Sequence, residues 1–506
     1  MNYKMIRYTL GMILRFEALF LAVPIITGLC FLEWRSLLSF LGAAAICLAV
    51  SLLLSFKKPE NMKLSARDGF VIVSLGWIFL SLFGALPFVF SGAIPNYIDA
   101  LFEIVSGFTT TGSSIIDASV IEDMPKAVNI WRCFAHWVGG MGVLVFVMAI
   151  LPLSGAQNMH IMRAESPGPS VSKLVPRVKK TAVILYIIYA VMTVILFIFL
   201  LLDKVFNADA ANAITVYEAA CTAFATAGTG GFGVKSDSMM GFTSYVKIIC
   251  TVFMFLFSIN FNSYYLILRL KIKDAFNSEV RVFTLIVLTA IAAITANLML
   301  TKTAGAESFG DALLNSAFTV ASISSTSGFA TLDFNLWPEL SKIIIVIITF
   351  IGACAGSTGG GIKVSRIVIL VKGMIREIGN LIQPRRVKKI CIDKKTVDSE
   401  VVRSVNAYLV TFVLVFVSSI IVLSFDPYVY VMPAGATEGG KLLTNFTAVT
   451  TCISNVGPGL DMVGPAGGFA FFSPLSKLVL IFDMLAGRLE LFPMLILFAP
   501  STWKKQ

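Results

Sequence analysis

The feature that most restricts this chain is a succession of apolar runs of bilayer-crossing length, joined by short polar links. They lie at 16–32, 37–56, 69–92, 128–152, 181–202, 243–268, 282–300, 340–370, 403–424 and 476–500. A spanning helix needs about 20 predominantly apolar residues. Ten crossings are therefore predicted, with both ends on one side, and the fold class is an all-α polytopic membrane protein. Composition agrees: 57% of the 506 residues are hydrophobic and 14% charged, where a soluble protein carries about a quarter. Phe outnumbers Tyr 41 to 12, so the aromatic side chains are mostly of the kind that tolerates hydrocarbon.

A net charge of +11 raises nucleic acid as a partner, but its distribution points to a membrane instead. With the N-terminus in the cytoplasm, the inner links are 57–67, 157–180, 269–281 and 363–403. Together with both tails they hold 29 of the 40 Lys and Arg. The outer links contain Asp203, Asp209, Asp237, Glu307, Asp333, Asp426 and Asp461. This asymmetry keeps its sign over every crossing and places both termini inside. Lys4, Arg7 and Arg15 lead into the first apolar run with no small-x-small site, so no cleavable signal is expected. Eight cysteines stand singly at 30, 47, 133, 221, 250, 354, 391 and 452, and His136 and His160 are the two histidines. Neither a zinc centre nor a disulfide framework fits that spacing. The absence of a Ser/His/acid arrangement argues against an enzyme, and no cofactor is expected.

Four outer links share an arrangement that ordinary loops have no reason to share. A short helical stretch, Asp99 to Phe108, precedes Thr109-Thr110-Thr111-Gly112-Ser113. Ile214 to Phe224 precedes Gly228-Thr229-Gly230-Gly231-Phe232, and Asp311 to Ile323 precedes Ser325-Thr326-Ser327-Gly328-Phe329. Leu442 to Cys452 precedes Ser454-Asn455-Val456-Gly457-Pro458. Each is followed by a polar piece and another span. A helix of about 10 residues cannot cross hydrocarbon alone, but it can enter and return where its loop is buried in protein or lines water. The predicted organisation is a peripheral helix pair over 1–67 and four units at 68–180, 181–281, 282–402 and 403–506.

Four such hairpins can surround one axis and turn main-chain carbonyls toward it. A dehydrating cation needs its water replaced by oxygens from several segments, and glycine permits the required backbone at low steric cost. The candidate cation ligands are Thr110, Thr111 and Gly112; Thr229, Gly230 and Gly231; Thr326, Ser327 and Gly328; and Asn455, Val456 and Gly457. The C-terminal ends of the short helices would add partial negative charge toward a cation. Asp99 and Glu103 are candidates for negative potential at an outer mouth. Inside the eighth run, Gly352-Ala353-Cys354-Ala355-Gly356-Ser357-Thr358-Gly359-Gly360-Gly361 cannot sustain a rigid helix. It also misses a phosphate-loop spacing, since Ile362 stands where the lysine belongs. A broken helix buried at membrane depth is predicted, with Gly356, Gly359, Gly360 and Gly361 as gate residues. Asp483, Arg488 and Glu490 are ionisable groups in the tenth run, a costly placement that points to function. Arg488 is the sharpest, because a positive charge facing a cation path forms a barrier. Arg132 and His136 precede Trp137-Val138-Gly139-Gly140-Met141-Gly142, whose small residues permit close helix packing. The basic stretch with Arg385, Arg386, Lys388, Lys389, Lys394 and Lys395 suits anionic lipid.

The whole chain resembles the bacterial Trk family of potassium uptake proteins, within the wider group that includes the Ktr and plant HKT transporters. The resemblance is carried by Ser106 to Gly112, His136 to Gly142, Thr229 to Phe232, Ser325 to Thr331, Gly352 to Lys363 and Asn455 to Gly459. It implies four pseudo-repeated M1–P–M2 units around a central pore, plus the N-terminal pair of transmembrane helices, in a homodimer whose protomers each hold a pore. It further implies Gly112, Gly231, Gly328 and Gly457 as filter glycines, with Gly112 in the potassium-selective form. Arg488 is implied to hold a closed state beside the intramembrane loop, and a cytosolic TrkA-like nucleotide-binding subunit to be the regulatory partner. The expectation is gated, potassium-selective conduction across the inner membrane. Sodium- or proton-coupled secondary transport is the alternative.

Overall fold

The computed structural model describes residues 1–61, 64–142, 178–207, 210, 212–303, 305, 307–383, 389–393, 395–435 and 439–504. Its described residues are overwhelmingly helical. Six helical segments are long and apolar enough to span a membrane: Tyr3–Cys30, Trp34–Ser55, Ala66–Ser91, Ala182–Phe206, Ser278–Thr301 and Ser399–Ser424. In the most apolar stretch of Ala66–Ser91, 61% is covered by protein, against 22% for Ser399–Ser424. The former therefore lies inside the bundle, and the latter leaves most of its surface uncovered by the rest of the chain. The first helix begins at Tyr3, earlier than the predicted 16, because Arg15 is satisfied within the bundle. Its guanidinium donates to Ser51 Oγ at 3.1 Å and Ser55 Oγ at 2.6 Å. Glu33, in the link after it, accepts from Lys126 N and Ala127 N, which ties the helix pair to the start of Lys126–Gly140.

Four shorter helices follow the third to sixth long segments: Tyr97–Phe108, Val216–Gly228, Phe309–Ser325 and Lys441–Ser454. At 1.5 Å per residue each is shorter than the roughly 30 Å hydrocarbon core. Their starts are fixed by side-chain caps in three cases. Asn96 accepts from Ile98 N, Thr215 forms a capping box with Glu218, and Ser308 accepts from Asp311 N. Capping satisfies donors that a helix start leaves open.

After each short helix and its turn comes a further helix: Lys126–Gly140, Ser244–Phe257, Glu339–Ile351 and Pro474–Arg488. At 13 to 15 residues none crosses by itself. Continuous spans were expected at 243–268 and 476–500, and both are interrupted. The first bends by 89° between Phe257 and Phe261, where Asn260 caps a new helix by accepting from Asn262 N. The second breaks at Glu490 and Leu491, both at positive φ, before Phe492–Phe498. In the third case the interruption predicted at 352–361 extends to Lys363, and Val364–Ile382 follows. The run predicted at 128–152 is described only to Gly142. Residues 157–177 of the inner link, His160 among them, and Arg385, Arg386, Lys388 and Lys394 also lie outside the described residues. A two-stranded antiparallel hairpin pairs Cys391 with Thr396 and Ile392 with Lys395.

Candidate ion pathway

The four turns share one backbone. Thr110, Thr229, Thr326 and Asn455 occupy the left-handed region at φ 58°, 55°, 64° and 55°. Each donates its N–H back to a carbonyl three residues earlier, at Gly107, Thr226, Ile323 and Cys452. The next residue donates to a carbonyl five residues earlier: Thr111 to Ser106, Gly230 to Ala225, Ser327 to Ser322 and Val456 to Thr451, at 2.8 to 2.9 Å. Such bonds close a helix C-terminus, but glycine ordinarily takes the left-handed position. A β-branched residue there is an outlier, at a cost of order 1–3 kcal/mol each. The strain buys a chain reversal in which Gly112, Gly328 and Gly457 also sit at positive φ, 84°, 80° and 95°.

The turns meet in cyclic chain order. A Cβ on Gly112 would stand 2.7 Å from Gly231 N, and one on Gly231 would stand 2.6 Å from Ser327 O. One on Gly328 would collide with Val456 O, and one on Gly457 would stand 2.7 Å from Thr111 O. The fourth turn is also bonded to the first, through Ser113 Oγ to Gly457 O at 3.1 Å and Asn455 Nδ2 to Thr111 Oγ1 at 3.0 Å. The polar pieces after the turns close in the same order. Ser236 donates to Glu122, Met239 N to Ala330 O, Asp461 N to Asn335 and Phe469 N to Ser114 O. The bonds from Ser236 hold the exposed Glu122 carboxyl below the usual carboxylate range.

Two side chains of Lys126–Gly140 brace this ring. His136 Nδ1 lies 2.8 Å from Gly107 O, and Nε2 accepts from Phe232 N at 3.2 Å. The neutral tautomer with its proton on Nδ1 satisfies both bonds, so one imidazole sets the spacing of the first two turns. Arg132 pairs with Glu103 at 2.7 Å, both buried, and donates to Asn129 Oδ1 at 2.7 Å. Its guanidinium lies 4.3 Å from the Phe232 ring centroid. Glu103 also accepts from Ser114 Oγ and Ile115 N. This corrects the expectation of mouth charges: Glu103 is a neutralised brace, and Asp99 is bonded to Lys477 at 2.6 Å.

Beneath the ring lies the glycine-rich segment. Gly360 N donates to Thr326 Oγ1 at 2.7 Å, and a Cβ on Gly359 would stand 2.7 Å from Ser325 O. The segment docks into the bend of Ser244–Leu268, through Cys354 N to Ser258 O, Phe261 N to Gly356 O and Thr358 Oγ1 to Phe257 O. Arg488 donates to Thr358 O and Gly140 O at 2.8 Å, to Gly139 O, and to Thr110 Oγ1 at 3.3 Å. One guanidinium thus joins the first turn, the first post-turn helix and the glycine-rich segment. Lys363 donates to Gly359 O, and Arg366 pairs with Glu490 while stacking 4.0 Å over Tyr408. Asp483 accepts from Ser419 Oγ at 2.8 Å. A cavity on one side of the ring is lined by Gly112, Gly231, Gly328 and Gly457. A second is lined by Gly359, Gly360, Gly361, Lys363, Arg488 and Glu490.

The twelve candidate cation ligands thus lie in one ring, and Gly356, Gly359, Gly360, Gly361 and Arg488 lie together below it. Sequence reasoning missed Glu279, which bonds the glycine-rich segment from another helix, and Asn260 at the bend. An Asn inside an apolar run was the available signal for the latter.

Residues 38–505 match the family described as TrkH, cation transport protein. The Trk system potassium uptake protein TrkH of Halomonas elongata is 33% identical over 512 residues, covering both chains fully. The protein of the same name from Escherichia coli (strain K12) is 33% identical over 517 residues, again with full coverage. The crystal structure of the potassium transporter TrkH from Vibrio parahaemolyticus superposes with a TM-score of 0.84 at 30% identity over the whole of both chains. The chain, a multi-pass helical membrane protein, belongs to the TrkH family of cation transport proteins.

Proposed function

We propose that this chain takes up potassium across the bacterial cytoplasmic membrane through the four-turn ring, as a gated conduction path. The carrying observation is the cyclic contact of Gly112, Gly231, Gly328 and Gly457, each against the backbone of the next turn. Carbonyls of residues 110–112, 229–231, 326–328 and 455–457 replace the water of a dehydrating cation. The four helix C-termini favour positive charge there. The four segments 68–180, 181–281, 282–402 and 403–506 act as M1–P–M2 units around this path, with both termini cytoplasmic. The glycine-rich segment and Arg488 close the inner side. Each protomer of a homodimer holds its own path, and a cytosolic TrkA-like subunit docks on the basic stretch 363–403. The relatives' shared name, Trk system potassium uptake protein, supports the cation and the multicomponent assembly.

The test is a planar-bilayer recording of purified protein with potassium and sodium on opposite sides. Single-channel steps with a potassium-favouring reversal potential are expected, and Gly112→Ser should shrink that preference. Slow, saturable turnover tied to a sodium or proton gradient would instead favour a coupled carrier, which the interrupted helices also accommodate.

A further inference from the structure

Glu279 lies in the first turn of Ser278–Thr301, a helix that contributes nothing to the ring. Its Oε1 accepts from Ala355 N at 2.6 Å and from Ser365 N at 3.2 Å. Those two amides flank Gly356 to Gly361, so one carboxylate oxygen pins both ends of the segment. Hydrogen bonds to a charged acceptor are the stronger kind, and Ala355 and Ser365 have no helical partners at this break.

The residue before Glu279 is held from the hairpin. Asp393, at the hairpin tip with φ 48°, accepts from Ser278 N at 2.9 Å and Ser278 Oγ at 2.5 Å. Arg281 reaches the same oxygen at 3.4 Å. The carboxylate also suits the positive end of that helix. The hairpin is itself docked: Lys372 Nζ donates to Cys391 O at 2.7 Å, and Ile390 packs with Ile369, Val402 and Val405. A continuous line of bonds therefore runs from the hairpin through Ser278 and Glu279 to both ends of the glycine-rich segment.

We propose that Glu279 is the positioning residue that keeps the glycine-rich segment across the pathway, and that Asp393 sets the position of Glu279. Displacing the hairpin then releases the segment. This inference rests on the reading of that segment as a gate.

The test is rubidium flux into vesicles containing the full-length protein at matched content. Glu279→Ala removes both bonds and should raise basal flux about tenfold, whereas Glu279→Gln keeps an oxygen acceptor and should stay near the parent. Asp393→Ala, at a half-exposed ion pair, should raise flux about twofold to fivefold. The double variant should equal Glu279→Ala, since both act through one linkage. The potassium-to-sodium ratio should not move. Parental flux in Glu279→Ala beside raised flux in Arg488→Ala overturns the positioning role of Glu279 and leaves the gate reading standing. Parental flux in both overturns the gate reading itself. Should Glu279→Ala not purify as a single species, Asp393→Ala decides alone, and parental flux there overturns the proposal.

Discussion

The ring and the segment beneath it are built on opposite plans. In the ring, four turns repeat one left-handed residue and one pair of backbone bonds, and every glycine is backed by its neighbour. Each turn packs closely against the backbone of its successor. The segment below exists once and is tied to its surroundings by single bonds of unlike kinds, with Thr326, Arg488 and Glu279 and with Phe257, Ser258 and Phe261 at the bend. A hydrogen bond of this sort has a net worth of about 1 kcal/mol, or about 1.5–3 with a charged partner. On the proposed reading, rigidity comes from repetition, and reversible obstruction from asymmetry. Selecting an ion requires fixed oxygens, and gating requires a part that leaves.

The same substitution on the two sides should therefore have opposite signs. Gly457→Ala places a methyl 2.7 Å from Thr111 O at φ 95°, and no flexible side chain is there to yield. Potassium flux should fall on the order of a hundredfold, from a misplacement of about 1 Å in the oxygen ring. Gly359→Ala also places a methyl 2.7 Å from a carbonyl, that of Ser325, but here the glycine belongs to the separable part. Flux should rise, with the potassium-to-sodium ratio unchanged. Rubidium uptake and bi-ionic potentials on both variants check this. A fall in both would mean that the segment is part of the ring rather than a cover beneath it.

Arg488→Ala breaks the lower region at its most connected point. It removes donors to Thr358 O, Gly139 O, Gly140 O and Thr110 Oγ1, and it takes a positive charge from the cavity below the ring. Flux at low driving force should rise about tenfold, the effect of roughly 1.4 kcal/mol. Unchanged flux at matched protein content would remove Arg488 from the barrier.

The two plans were unequally legible in the sequence. Short helices ending in glycine stood out because about 10 residues cannot span hydrocarbon, and Gly352 to Gly361 stood out because a helix cannot bear five glycines there. The left-handed Thr110, Thr229 and Thr326 did not, because threonine disfavours that backbone and only the surrounding ring enforces it. The bend at Asn260 and the break at Glu490 were hidden inside apolar runs whose average hydropathy outweighs one polar residue. Glu103 was misread as a mouth charge because its partner, Arg132, comes from the next helix. Glu279 looked like an ordinary first-turn acid, since the amides it holds lie 76 and 86 residues on.

The smallest effect is expected at Asp99, and it separates charge at the mouth from bracing behind it. Lys477 Nζ lies 2.6 Å from Asp99 Oδ1, with side-chain exposures of 8% and 24%, so the pair joins Tyr97–Phe108 to Pro474–Arg488 at a partly solvated edge. Such a bridge is worth about 1 kcal/mol or less after screening and side-chain entropy. Asp99→Asn should lower thermal stability slightly, and the difference should shrink in high salt as the parental pair is screened. Apparent potassium affinity should stay within about twofold, because a carboxylate already matched by an ammonium adds little field at the mouth. A severalfold loss of affinity, reversed by high salt with stability untouched, would show that Asp99 acts on the arriving cation, and the ring would then owe part of its selectivity to charge outside it.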